Sequence, residues 1–435
     1  DIDDEPRIVD GTVDIGCDEV VPAGLTGALA AAIYAPYPVA VVNAAVPFYA
    51  DVRGKAALLE WAIATNGGMR VINNAGAVQQ AWAAPGVFPV ILRAWNNDGM
   101  AAATVMVQVV SAVTNYAAHG GAHLAPFMTL THAATSIVAA LEAVPPGGVT
   151  VVSNGVYADG TIMLDRDVTL TSLAGRDYTV IDGQGVRRCV FMSHAGAVVQ
   201  ALTIGNGFLN SDNGAGVFAA AGTIDRCALV NNRAYSGSAA LLQPGALMTG
   251  AYIYGNVATR SSSRAGAVYC DGGGLVIGCA IISNSASASS GDGGGLVFNY
   301  GGTAAYCLVA GNRADDGAGA YCYYGGELLN CVITGNWSVA AASSAGGGVY
   351  GYYGGELRNC AIMHNRANGN GGGVRHFNGG RLANCTIMAN QALGNGGGYY
   401  SSGFVLENCV VYYNRAAAYP DYYHASTTFA RRHSC

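Results

Sequence analysis

Between residues 201 and 414 the apolar positions come in short bursts at a spacing of two, not in helical faces. In "GGELRNCAIMHNRA", Cys360 and Ile362 stand two apart, hence on one side of a strand, and Leu357 precedes them across a bend near Asn359. The positions between them vary freely, as outward-facing residues do. Aligned on that cysteine, the pattern Cys-x-aliphatic-x-x-Asn-x-Ala/Ser returns at Cys227, Cys279, Cys307, Cys331, Cys360, Cys385 and Cys409. Two further copies carry alanine instead, at Ala201 and Ala251. The asparagine then falls at Asn206, Asn232, Asn256, Asn284, Asn312, Asn336, Asn365, Asn390 and Asn414, and successive copies lie 24 to 29 residues apart.

A period in this range marks a solenoid, in which each repeat buries its apolar face only against its neighbours. Stacked coils lie about 4.8 Å apart, so nine rungs span roughly 40 Å. The pattern predicts an asparagine ladder at one corner, each amide bonding the coils above and below. Asparagine also tolerates the left-handed backbone of a sharp corner. The glycines of "NGGGV", "GAGAY" and "NGGGY" are expected at the tight corner before the next strand, which leaves a phosphate-binding loop little to explain.

The rest of the chain reads differently. Residues 1–20 are a polar, turn-rich tail. Residues 21–110 hold strand-like runs such as "AVVNAAVPFYA" and "FPVILRAWNN", broken by Asn-Gly, Pro-Gly and Asp-Gly turns, which predicts a β-sandwich. Residues 111–132 read as a connector. In "AATSIVAALEAVPPGG" the spacing of Ile137, Ala140 and Leu141 predicts a short helix that stops at Pro145-Pro146-Gly147. Residues 133–416 are then the solenoid and 417–435 a closing segment.

Composition narrows the classes. Only 11% of the 435 residues are charged and 51% are hydrophobic, which excludes an acidic disordered chain. With a net charge of −6 and Lys55 as the single lysine, no basic patch suits nucleic acid or an anionic membrane. No uninterrupted apolar run is long enough to predict a membrane span. The chain begins at Asp1 without a leader, which reads as a processed or excised segment.

These residues resemble known groups. Residues 133–435 resemble the right-handed parallel β-helices of the pectin-lyase-like superfamily, above all bacterial surface proteins with coils like "GGELLNCVITGNWS" and "GGRLANCTIMANQA". Residues 1–20 resemble the terminal tail of choice-of-anchor Q proteins, with Asp4-Glu5 and Cys17 departing from that pattern. Residues 56–110, with "AWAAPGVFPVILRAWNNDG", resemble a PKD-type immunoglobulin-like domain. The resemblance implies an all-β chain: an Ig/PKD-like sandwich, then a right-handed parallel β-helix with a short N-terminal capping helix. It also implies a bacterial, extracellular or cell-surface setting. The anchor-Q tail follows a β-helix in that family and comes first here, which suggests a unit of a tandem array or one that donates its tail to a neighbour.

Candidate chemistry is sparse. None of the twelve cysteines forms a C-x-x-C pair, which argues against zinc-ribbon and thioredoxin-type sites. The cysteine column reads either as a metal or redox wire or as small buried hydrophobes. Cys270 and Cys322 form a second stack with Phe298 on the rung between them, too far apart to bridge. Cys17 and Cys435 lie outside the repeats and are the candidate disulfide in an oxidising compartment. Asp292 and Asp316 share a register on adjacent coils, with Asp315 beside them. Together they can share a proton or a calcium ion, or form a solvated corner. His364 and His376 sit one coil apart in different registers. The catalytic sets of β-helix lyases and hydrolases are missing, so no residue is assigned a catalytic role. The longer repeats carry small hydroxyl-rich inserts, "TRSSSRAG", "SASASSGDGGG" and "VAAASSAGG", that suggest one ridge for glycan attachment or a partner, or slack. Tyr323, Tyr324, Tyr352, Tyr353, Tyr399 and Tyr400 recur near the strand start and suit carbohydrate stacking or protein contact.

The expectation is a non-enzymatic structural or adhesive surface protein that associates end to end through its tail and the open β-helix end. The alternative is a polysaccharide lyase or hydrolase built around Asp292 and Asp316.

Overall fold

The computed structural model describes residues 25–259, 264–286, 291–340 and 345–424, and the backbone of three short terminal strands, Ile8–Val9, Thr12–Val13 and Phe429–Arg432. The described chain is nearly all β, with one helix, and divides into two compact units.

The first unit is an immunoglobulin-like sandwich. One sheet runs Val39–Val41, Gly99–Val110, Gly86–Asn96, Leu58–Thr65, Gly68–Asn73, and the other Ala30–Tyr34, Val46–Arg53, Ala77–Gln80. Period-two alternation puts Phe48, Trp61, Ile63, Val90 and Leu92 into the space between them, all fully buried. Both core indoles keep their N–H satisfied, Trp61 donating to the Ala75 carbonyl and Trp82 to that of Ala64, each at 2.7 Å.

The second unit is a parallel β-solenoid of about ten turns. One coil shows the plan: Val349–Tyr353, then Glu356–Arg358, Ala361–Met363 and Arg366–Ala367, each in a different sheet. Gly354 and Gly355, both at positive φ, turn the first corner. A single left-handed residue, Asn359, makes the second bend and His364 the third. Val349, Leu357 and Ile362 point inward and are fully buried. Each such side chain contributes about 1.5–3 kcal/mol by leaving water. Every coil pairs with the next in parallel and in register.

The segment expected as a connector holds the strand Thr114–Ala117, which pairs in parallel with Gly148–Val152 at the start of the longest sheet. Beside it the helix Ile137–Ala143 buries Ile137, Ala140 and Leu141. Ser136 caps the helix by accepting from the Ala139 N–H at 3.1 Å, and Asp159 takes the Ile137 N–H at 2.5 Å. Arg166 donates to the carbonyls of Leu141 and Val144 at the other end. The first turns are thereby covered.

Pairing corrects one part of the alignment. Thr203 lies opposite Ala228, so Leu202 rather than Ala201 stands in the cysteine column, and Gly207 rather than Asn206 in the asparagine column. Ala201 instead shares positive φ with Arg226, the residue before the cysteine.

Candidate functional site

The asparagine column is buried from Asn232 to Asn414. Each carboxamide oxygen accepts twice from the coil before it. Asn336 Oδ1, for example, takes the Asn312 backbone N–H at 2.9 Å and the Asn312 Nδ2–H at 3.0 Å. Each Nδ2 also donates to an aliphatic residue's carbonyl on the previous coil, as Asn336 does to Val309 at 3.0 Å. The series passes through Asn256, Asn284, Asn312, Asn336, Asn365 and Asn390, and Asn414 donates to Asp421 Oδ1 at 3.1 Å. Asn206 is outside this series: it is exposed and donates to Asp182 at 3.0 Å. The left-handed corner residue is not the ladder asparagine but the one before it, at Asn231, Gly255, Ser283, Gly311, Gly335, His364, Ala389 and Tyr413. The ladder side chain needs ordinary backbone to point inward. The glycine corner has a second purpose beyond its turn. A Cβ at Gly348 would sit 3.0 Å from Asn365 Nδ2 and 2.6 Å from the Gly373 carbonyl oxygen.

Cys227, Cys279, Cys307, Cys331, Cys360, Cys385 and Cys409 form a column of buried thiols with Ala251 in line. Their S–H groups donate to main-chain carbonyls, Cys360 to Leu328 at 3.2 Å and to Arg358 at 3.3 Å. Cys270, Phe298 and Cys322 occupy consecutive rungs of another inward column. Burial pushes Cys227, Cys270 and Cys322 up to about 12, which keeps them protonated and unreactive. That second column continues through Gly351 to His376, which is fully buried and held down to about 3 by burial. The ring fits because Gly351 and Gly380 have no Cβ: one would stand 2.2 and 2.7 Å from its Cδ2. His364 is exposed at the outer corner, so the two histidines do not meet.

Asp292 and Asp316 do come together. They occupy equivalent places on consecutive coils, each 8% exposed, with the Gly293 N–H bonded to the Asp316 carbonyl at 2.8 Å. Asp315 is half-buried beside them. Burial, reinforced by Asp316 and Asp315, pushes Asp292 up to about 8, and Arg264 opposes this. Tyr321 and Tyr350 lie against the pair and are raised chiefly by burial. At neutral pH Asp292 therefore keeps its proton beside the carboxyl of Asp316. No group of three or more His, Cys, Asp or Glu among the described residues is placed to hold a metal ion.

On the outer face, Tyr323, Tyr352 and Phe377 stack at 5.7 and 5.3 Å, and Tyr300, Tyr324 and Tyr353 at 5.2 and 4.8 Å. Rings within a column cover one another's faces, so solvent meets edges and hydroxyls, and flat plates are offered only at the column ends. Tyr399 belongs to the inward row opposite Val374 and is buried, unlike the other five. A third column, Arg313, Trp337 and Arg366, lies on the short sheet after the asparagines. An open depression of about 660 Å³ at the last turn is lined by residues from Tyr419 to His424. Cys17, Cys435 and the insert residues 260–263, 287–290 and 341–344 lie outside the described residues.

The sandwich can be placed by comparison. Residues 30–109 match the PKD domain family. The PKD domain thus begins at the strand Ala30–Tyr34 and ends within Gly99–Val110. No curated protein matches the chain.

Sequence reading missed the Arg–Trp–Arg column, the glycine-lined seat of His376 and the Asp421 end of the ladder. Aligning the residue six positions after each cysteine would have exposed the first. Asp421 carried no signal, because it reaches Asn414 across a loop of irregular length.

Proposed function

We propose that this chain is a non-enzymatic structural or adhesive protein of an extracellular or bacterial cell-surface setting, in which the solenoid acts as a rigid spacer. The observation that supports this most is the burial of the best carboxylate pair: Asp292 and Asp316 are each 8% exposed, with Tyr321 and Tyr350 against them, which leaves a polymer little carboxylate surface to meet. The PKD domain at residues 30–109 supports the setting, being a module typical of extracellular proteins. The coil motif supports kinship with pectin-lyase-like β-helices. End-to-end association is part of the proposal. The strands Val410–Tyr412 and Tyr422–His424 end their sheets among the described residues, with Val410, Tyr413 and Tyr422 exposed. Edges of this kind invite pairing with another chain.

The alternative, a polysaccharide lyase or hydrolase, is favoured by one feature, the raised carboxyl of Asp292. Electron microscopy of native material tests the first reading: filaments with an axial repeat near one chain length support it, and dispersed particles remove the assembly part. Cleavage of a polysaccharide panel, with and without calcium, that vanishes in Asp316→Asn would replace the structural reading with the enzymatic one.

A further inference from the structure

The short sheet carries an outward column of Arg313, Trp337, Arg366, Gln391 and Arg415 on successive rungs. The guanidinium carbons of Arg313 and Arg366 lie 5.0 and 5.2 Å from the Trp337 ring centroid, one from the rung below and one from the rung above. Trp337 is itself fixed, its indole N–H donating to Asn368 Oδ1 at 3.2 Å. Stacking uses the flat face of a guanidinium and leaves its N–H fork at the edge. Among the described residues no ion pair or side-chain hydrogen bond occupies either fork. The nearest carboxylate in sequence is Asp315, half-buried two residues beyond Arg313. Like charges are thus held two rungs apart, roughly 10 Å, with donors open, and Arg415 repeats the interval beyond Gln391.

We propose that this column binds an extended acidic polysaccharide carrying one carboxylate or sulfate per disaccharide, laid along the solenoid axis. This rests on the extracellular reading above. The fork fits a planar or tetrahedral oxyanion two bonds at a time, and two rungs match the length of a disaccharide in an extended β-linked chain. Trp337, 37% exposed between the cations, offers its edge to the intervening sugar. Other polyanions fit less well. Phosphates follow each other at about 3.4 Å of rise along a DNA strand, which calls for denser cations than this chain of net charge −6 supplies. Same-face residues of an extended acidic peptide recur every 6.8 Å or so, out of step with the arginines.

The test measures binding of the whole chain to hyaluronan fragments of defined length, with dextran, polygalacturonate and oligo-dT as comparison polymers. Hyaluronan is expected to bind best. Arg313→Gln and Arg366→Gln each weaken it about tenfold, and Trp337→Leu, which removes the ring that holds both guanidinium groups in place, weakens it as well. Arg366→Lys recovers only part of the loss, because a point charge lacks the fork. Arg233→Gln, on the same sheet but outside the proposed site and cut off from Arg313 by Val257 and Ser285, leaves binding unchanged. Equal binding by the Arg313→Gln/Arg366→Gln double variant, with its melting curve unaltered, would overturn the proposal. So would oligo-dT binding as tightly as hyaluronan. Chain length of the polymer is read in the same samples: shortening would sink the non-enzymatic reading while leaving the binding column standing. Absence of binding by the intact chain would do the reverse.

Discussion

Replacing Asn312 with alanine removes the acceptor of both the Asn284 backbone N–H and its carboxamide, and it removes the donor to Ile281. All of these groups are buried, so the expected loss is about 2–5 kcal/mol in urea unfolding. The same change at exposed Asn206 is expected to cost less than about 0.5 kcal/mol. Sequence gave the two residues one role because Ala201 could be read into the cysteine column. The backbone pairing, which places Leu202 there, is a property of the neighbouring coil and has no local signal. Two titrating groups pull stability in opposite directions. His376 binds its proton below about 3 when folded and near 6.5 in an unfolded chain, so the unfolded state holds more protons between those values. Stability therefore falls as pH drops through that window, and His376→Ser should flatten the acid limb of a melting-temperature profile. Asp292 holds its proton up to about 8 when folded and only to about 4 when unfolded, so stability falls as pH rises from 4 to 8. Asp292→Asn should remove that decline, and a profile of unchanged slope would show that the carboxyl is not the cause.

At the scale of the element, the asparagine and glycine corners are one structure. Gly348→Ala drives a Cβ against the Asn365 amide and the Gly373 carbonyl, with an expected cost of about 2–4 kcal/mol. Gly325→Ala, at positive φ but in open space, should cost only about 1 kcal/mol. Comparing the two melts separates crowding from backbone strain. The repeat made both columns legible, since each contributes the same residue type to every coil. Their mutual contact was not legible, because about seventeen residues separate Gly348 from Asn365 along the chain and the corner loops differ in length. In the cysteine column Ala251 already occupies one rung, and Cys331→Ala is expected to lower stability by only about 1 kcal/mol. A drop several times larger would mean that the thiol hydrogen bonds matter more than the volume.

For the whole molecule, a solenoid with coil-to-coil contacts has stability that sums over neighbours. Disturbing one end should fray the nearest turns first. Asp421→Ala is expected to speed amide hydrogen exchange around Asn390 and Asn414 while leaving the turns near Asn256 protected. Uniform loss of protection would show a single cooperative unit instead. The asparagine series also has a direction. Every carboxamide presents one of its two N–H groups to the asparagine of the following coil and its oxygen to the preceding one, so the small dipoles add head to tail and polarise each other. The solenoid thus has an electrical sense along its axis, of the same kind as a helix but weaker because the dipoles are one per rung, with its positive pole at the last turn. There the carboxylate of Asp421 meets that pole. A second molecule seated on this end would have to supply an acceptor of its own or leave Asp421 in place, so the joint has a chemical polarity as well as a shape.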